Sequence, residues 1–249
     1  MQYDNPFQGD TEASIEFFLL GRVTVDRCLE LQRRLVFEAG ERMDGRIDVL
    51  MCEHPEMITV GRSGSRVDVR LSGEELRRRQ LEVKWVTRGG GCVLHSPGQL
   101  AIYPIVPLEV YGWTLGAYLR RLRRGLAQAL DSIHVPHAAS EGTSAIWGRS
   151  GCLAVMGAAV RAGITYQGAF LNVCPAMQNY GYVDVTRAES PFGGKRTMGC
   201  LVAERRRPAR MTEVRAALVE GLADAFDRKR YHLHTGHPFL RKEHRPVSA

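Results

Sequence analysis

The stretch Arg88-Gly89-Gly90-Gly91-Cys92-Val93-Leu94-His95-Ser96-Pro97-Gly98-Gln99-Leu100 limits what this chain can fold into more than any other. Four glycines and a proline frame an arginine, a histidine and a glutamine. Such a run does not form the interior of a helix or strand, where each glycine costs roughly 0.5–1 kcal/mol relative to alanine. Glycine lets backbone approach a ligand closely, and Pro97 fixes the turn that follows. Residues 81–86 alternate like a strand entering this segment, and residues 100–106 form an apolar strand leaving it. The polar residues therefore stand where two strands end, which is the position of a binding loop. A short glycine cluster alone is more often a plain turn, and a histidine alone is more often a hydrogen-bonded structural residue than a catalyst. The combination points to a site.

The remaining pattern alternates strands and helices. Strands are expected at 14–20, 49–53 and 57–60, with an amphipathic helix at 25–39 carrying Leu29, Leu31, Leu35 and Phe37. Ser72 caps a helix over 74–80, with Glu75 completing a capping box. A long helix at 114–133 places Leu115, Leu119, Leu122, Leu126 and Leu130 on one face. Short strands follow at 144–147, 153–160 and 168–173, and Thr212 caps a last helix to Asp227. The expectation is an α+β domain over residues 1–227 and a basic C-terminal extension over 228–249. That tail, with His232, His234, His237 and His244 among arginines and prolines, reads as loose. Its histidines have no carboxylate or cysteine at ligand spacing, so no metal is expected there.

Within 249 residues, 44% hydrophobic and 24% charged content is that of an ordinary soluble domain. No apolar run reaches about 18 residues, and residues 1–12 are acidic and polar rather than leader-like. A cytoplasmic protein without a membrane segment is expected. Six cysteines in no paired framework fit a reducing compartment. The net charge of +7 suggests an acidic partner. Arginine runs at 77–79, 120–124 and 205–207 lie in or beside helical patterns, the usual place of a solvated face. Without aromatic interleaving, zinc spacing or a helix-turn-helix signal, no nucleic-acid partner is expected.

Further motifs appear in a fixed order: His54-Pro55 followed by Thr59-Val60-Gly61-Arg62, the glycine segment followed by Tyr103-Pro104-Ile105, then Trp147 to Gly157, then Gly168-Ala169-Phe170-Leu171-Asn172-Val173. Together, over residues 49–226, they resemble the lipoyl(octanoyl) transferases of the LipB type, whose fold is shared with biotin and lipoate protein ligases. One departure is that the family's His-Gly-Pro-Gly-Gln reads His95-Ser96-Pro97-Gly98-Gln99. The resemblance implies a mixed β-sheet flanked by helices and no cofactor. It also implies transfer of an octanoyl group from acyl carrier protein to a lysine of a lipoyl domain, through an acyl-thioester. The acceptors implied are the lipoyl domains of 2-oxoacid dehydrogenases or the glycine cleavage H protein.

The family's chemistry uses a cysteine nucleophile and a lysine that lowers its pKa. The matching positions here hold Thr186 and Cys152, so neither residue is present. A threonine hydroxyl attacks a thioester far less readily than a thiolate does and needs a general base. Cys152 is the first candidate to replace the thiol, with Cys174 and Cys200 next and His95 as candidate base. Against this, free cysteines usually behave as small buried hydrophobes. Cys92 is expected to face the sheet interior, and Cys28 and Cys52 read as core. Lys195, in a longer turn over 187–198, offers a positive charge. The substrate-contact residues implied are Arg88, Gly89, Gly90, Gly91, Cys92, Val93, Leu94 and His95, whose N–H groups would stabilise an oxyanion. Val155, Met156 and Gly157 and then Gly168, Ala169 and Phe170 complete the set. Burying the seven methyl or methylene groups of an octanoyl tail contributes on the order of 5 kcal/mol before entropy costs. Two readings stay open, an acyltransferase with a moved nucleophile and a degenerate paralogue that binds an acyl chain or a carrier or lipoyl domain without transfer. An ATP-dependent ligase ranks last, because it would keep the lysine.

Overall fold

Thr24 begins the first helix by turning its hydroxyl onto the backbone N–H of Arg27, and Met43, in the left-handed region at φ 48°, ends it. Signals of this kind punctuate the whole chain. The computed structural model describes residues 13–138, 144–184, 197–205 and 207–241. In order, these form β1 (Ile15–Arg22), α1 (Val25–Arg42), β2 (Ile47–Glu53), β3 (Met57–Val60), α2 (Gly73–Arg78), β4 (Val83–Trp85), β5 (Cys92–His95) and β6 (Gln99–Ile105). Then come α3 (Leu115–Ser132), β7 (Ala145–Gly148), β8 (Gly151–Arg161), β9 (Ile164–Asn172), α4 (Leu201–Arg205), α5 (Met211–Ala225), β10 (Tyr231–Thr235) and α6 (Pro238–Arg241).

A seven-stranded mixed sheet runs β10-β1-β2-β6-β9-β8-β7, and a three-stranded sheet runs β4-β3-β5. The α+β expectation, a mixed sheet flanked by helices, holds. The two-residue alternation of the strands divides the core. Ile15, Phe17, Val49, Met51, Leu100 and Ile102 pack with α3 and α5 on one face of the large sheet. Phe18, Leu50, Cys52, Ala101, Tyr103 and Phe170 pack on the other, with α1 and the small sheet. Against expectation the middle of the glycine-rich segment, Cys92–His95, is itself strand β5 of the small sheet, so only residues 88–91 and 96–98 are irregular, and the segment leads from the small sheet into β6 of the large one.

Three local expectations are corrected. The N-cap of α5 is Arg210, with no side-chain cap bond, and Thr212 lies inside the helix. Phe37 is 68% exposed. It stands two residues beyond buried Leu35, about 200° round the helix. The stretch after Arg228 is not loose through residue 241, because β10 pairs in parallel with β1, with Glu16 opposite His232. Side chains reinforce the pairing. Glu16 takes His232 Nδ1 at 2.8 Å on one carboxylate oxygen and His234 Nε2 at 2.6 Å on the other.

Candidate functional site

The glycine ribbon is held from both sides by backbone. Gly61 N–H donates to Gly91 O at 3.1 Å, Arg62 N–H to Arg88 O at 3.0 Å and Ser63 N–H to Gly90 O at 3.1 Å. From the large sheet, Ala158 O accepts Gly89 N–H at 3.0 Å. A Cβ on Gly61 would lie 2.5 Å from Gly90 O, and one on Gly157 would lie 2.3 Å from Gly89 O. The Thr-Val-Gly-Arg motif and the segment ending at Gly157 are thus the two jaws of one clamp on the ribbon.

Arg88 folds back onto the ribbon it begins. Its Nη1 donates to Gly89 O at 3.1 Å and Gly91 O at 2.9 Å, and its Nη2 donates to Thr59 O at 3.0 Å and Thr59 Oγ1 at 2.9 Å. Burial lowers the guanidinium to about 10, still charged at neutral pH. His95 is sealed as well. Its Nδ1 faces Gln99 Oε1 at 3.1 Å and its Nε2 faces Thr59 Oγ1 at 2.8 Å. Burial, with His54 and Arg88 close by, pushes the imidazole well below its ordinary value. Neither ring nitrogen is free to take a proton from a substrate in this conformation. Phe170 lies edge-on to His95, ring centroids 4.8 Å apart, with the Arg88 guanidinium 5.5 Å from its own centroid.

The fold gathers Arg88, Gly89, Gly90, Gly91, His95, Gly157 and Phe170 and separates other expected members. Met156 and Ala169 pair with each other across β8 and β9 but belong to the α3 and α5 face, opposite Val155 and Phe170. Gly168 is packed under Ile102 O, 2.1 Å from the place of its Cβ. Cys92, Val93 and Leu94 are core, as Cys92 was expected to be. Cys152 lies five residues along β8 from Gly157, about 17 Å in an extended strand. Its thiol is buried, donates to Ala154 O at 3.3 Å, and is pushed by burial up to about 12 against the effect of that bond. Cys200 is buried, and Cys174 is the exposed cysteine of the six. Cys174 borders a depression with Val202, Arg207, Pro208 and Ala209. Thr186 and Lys195 lie outside the described residues. A cavity of about 280 Å³ adjoins the ribbon at Thr87, with Leu29, Val36 and Val86 among its walls and Arg33 and Arg161 among its charged residues.

Residues 25–223 match the lipoyl protein ligase A/B catalytic domain. The chain belongs to this family. Curated relatives called octanoyltransferase include one from Chloroflexus aggregans, 29% identical and covering 86% of this chain and 96% of the relative. Another, from Acidobacterium capsulatum, is 35% identical over 66% of this chain and 72% of its own length. Among solved structures, a lipoate-protein ligase A bound with ATP superposes with a TM-score of 0.65 at 13% identity, covering 90% of each chain. The bipartite lipoate protein ligase of Thermoplasma acidophilum gives 0.64 at 14% identity, covering 91% of this chain and 89% of that one. These structures share its fold.

Within this ligase A/B-type domain, sequence reasoning missed the cavity at Thr87 and the role of Tyr180, whose hydroxyl donates to Asn172 Oδ1 at 2.9 Å. The exposed Trp85, beside the ribbon, was the available signal for the cavity. Tyr180 gave none, since its partner is reached only through the fold. Among the described residues, no helix is long and apolar enough to cross a membrane.

Proposed function

We propose that this chain is an octanoyltransferase-type protein of lipoylation. It takes an octanoyl group from acyl carrier protein and passes it, through an acyl-thioester, to a lysine of a lipoyl domain in a 2-oxoacid dehydrogenase or the glycine cleavage H protein. The names and similarity of its relatives support this reading. The match of residues 25–223 to the family carries it, and the cavity at Thr87, though no candidate nucleophile among the described residues lines it, supports acyl binding, with aliphatic walls suited to an alkyl tail and arginines to an acidic carrier. The net charge of +7 favours encounter with that carrier, in the cytoplasm.

Cys152 serves as nucleophile only if its thiol leaves the Ala154 carbonyl, because with a pKa of about 12 on the order of one thiol in 10⁵ is ionised at pH 7. Cys174 is already exposed, and Thr186 needs a base. The state of Cys152 favours a second reading, in which the protein binds the acyl chain or a carrier or lipoyl domain and transfers nothing. Incubation with octanoylated carrier protein and a lipoyl domain, followed by intact mass spectrometry, separates the two. Transfer predicts an octanoyl adduct on the protein and a modified lipoyl domain. Cys152→Ala, Cys174→Ala and Thr186→Val then identify the nucleophile. If neither protein gains the octanoyl mass, transfer is ruled out and only binding stands.

A further inference from the structure

Beside that site, two cysteines expected to be plain core meet a histidine of the first motif on the α1 side of the large sheet; the His54 ring centroid is 5.4 Å from that of His95. Cys28 Sγ of α1 lies 3.9 Å from Cys52 Sγ of β2, and Cys52 Sγ lies 3.6 Å from Nε2 of His54, just beyond that strand. All three donor atoms lie within 4.8 Å of one another, the one such trio among the described residues. The histidine's tautomer follows from its neighbours. Nδ1 is 2.6 Å from Val23 O, and a carbonyl only accepts, so Nδ1 carries the proton and Nε2 presents its lone pair. Nε2 lies 2.8 Å from the Tyr103 hydroxyl and 3.6 Å from Cys52 Sγ.

The Cys28–Cys52 and Cys52–His54 distances are close to those of a tetrahedral centre, and Cys28 Sγ and the His54 ligand nitrogen, within 4.8 Å of each other, close up on binding. With Zn–S near about 2.3 Å and Zn–N near about 2.0 Å, tetrahedral angles separate two sulfurs by about 3.8 Å and a sulfur from a nitrogen by about 3.5 Å. The surroundings supply the outer partners a ligand set needs. Val23 O orients the imidazole, and Gln32 Nε2 donates to Cys28 Sγ at 3.5 Å, a bond that strengthens when the sulfur is a thiolate. Charge selects the ion. Two thiolates, one neutral imidazole and a divalent cation sum to zero, whereas a monovalent copper ion would leave a net negative charge buried.

We propose that Cys28, Cys52 and His54 bind a divalent zinc-type cation, with the Tyr103 hydroxyl in the fourth position. Binding forms two metal–sulfur bonds, one metal–nitrogen bond and one metal–oxygen bond, breaks the ion's bonds to its hydration waters and the Tyr103–His54 hydrogen bond, and releases those waters and the two thiol protons to solvent. Cys28, Cys52 and His54 are at most 2% exposed, so the site has no open face for substrate, and its work is to tie α1 to β2. Loading accompanies folding.

The test uses the full chain, once purified from zinc-supplemented medium and once unfolded in chelator and refolded with Zn(II) or Co(II). Elemental analysis is expected to give about one equivalent of metal. The cobalt form is expected to show thiolate-to-cobalt charge-transfer absorption of two-sulfur intensity. Cys28→Ser and Cys52→Ser are expected to lower metal content at least tenfold. Wild-type protein holding less than a tenth of an equivalent by both routes overturns the proposal. So does full metal content in the Cys28→Ser/Cys52→Ser double variant, or isolation of a metal-free Cys28–Cys52 disulfide 2 Da lighter. If the serine variants do not fold, the wild-type cobalt spectrum still decides, since absence of the sulfur band refutes the site.

Discussion

Gln99 and Asn172 stand directly opposite each other in the β6–β9 ladder, and Gln99 Nε2 donates to Asn172 Oδ1 at 3.0 Å. Gln99 also takes His95 Nδ1 on its Oε1 and reaches Leu94 O and the Tyr180 hydroxyl with its amide nitrogen. Asn172 passes the connection on to Gly199 O at 3.0 Å. The glutamine of the Pro-Gly-Gln turn and the asparagine of the Leu-Asn-Val strand are therefore parts of one buried network that fixes the end of the ribbon. Both are framework, and neither meets solvent.

Gln99→Leu keeps the volume and removes every one of those bonds. It leaves the His95 Nδ1 proton and Asn172 Oδ1 buried without this partner, each at about 1–3 kcal/mol. The expected loss is about 3 kcal/mol in urea unfolding. A loss under about 1 kcal/mol would mean that water or a shifted neighbour satisfies the network.

Gly157→Ala tests the clamp. The new methyl would fall 2.3 Å from Gly89 O, a backbone atom that cannot swing aside, so ribbon or strand must move. A cost of about 1–3 kcal/mol is expected, together with weaker retention of an octanoyl chain. Gly73→Ala, where nothing lies within 4 Å, is the control and is expected to be neutral or slightly stabilising. Equal effects from the two changes would remove the clamp as an explanation.

Local patterns carried much of this fold in the sequence. Ser72 and Glu75 form the capping box, α3 falls within the helix expected over 114–133, and the clamp residues Gly61, Gly89 and Gly157 all lie in the motifs that gave the resemblance. What was hidden depends on partners distant in sequence. Nothing near His232 announces Glu16, 216 residues earlier, and nothing near Cys28 announces Cys52 and His54. Met156 and Ala169 were grouped with Val155 and Phe170 as neighbours in sequence, yet strand alternation turns them to the opposite face.

Thiol accessibility gives a direct check of the site. In native protein near pH 8, iodoacetamide is expected to label Cys174, and Cys152 only after denaturation, because burial holds the Cys152 thiol protonated and out of reach. Peptide mapping reads the result. Rapid native labelling of Cys152 would show a conformation in which its sulfur opens to solvent, the state that a Cys152 nucleophile requires.

The attachment of β10 is expected to depend on acid. Burial alone would raise the Glu16 carboxyl, but hydrogen bonds from His234, Ser14 and His232 outweigh it and hold it at about 2, against an ordinary 4.5. A depressed folded-state pKa means that Glu16 contributes its full stabilisation above about pH 4.5 and loses it as pH falls toward 2. The histidine partners are 46% and 44% exposed, so solvent screening reduces that contribution to about 1 kcal/mol. Hydrogen exchange at the backbone amides of Tyr231–Thr235 should accelerate over that window beyond the intrinsic pH effect. Glu16→Gln should flatten this excess and release the strand partially even at pH 7. If the wild-type and Glu16→Gln profiles coincide across the window, β10 is held by its backbone ladder and the packing of Phe18 on His234, at a centroid distance of 4.8 Å, rather than by the carboxylate.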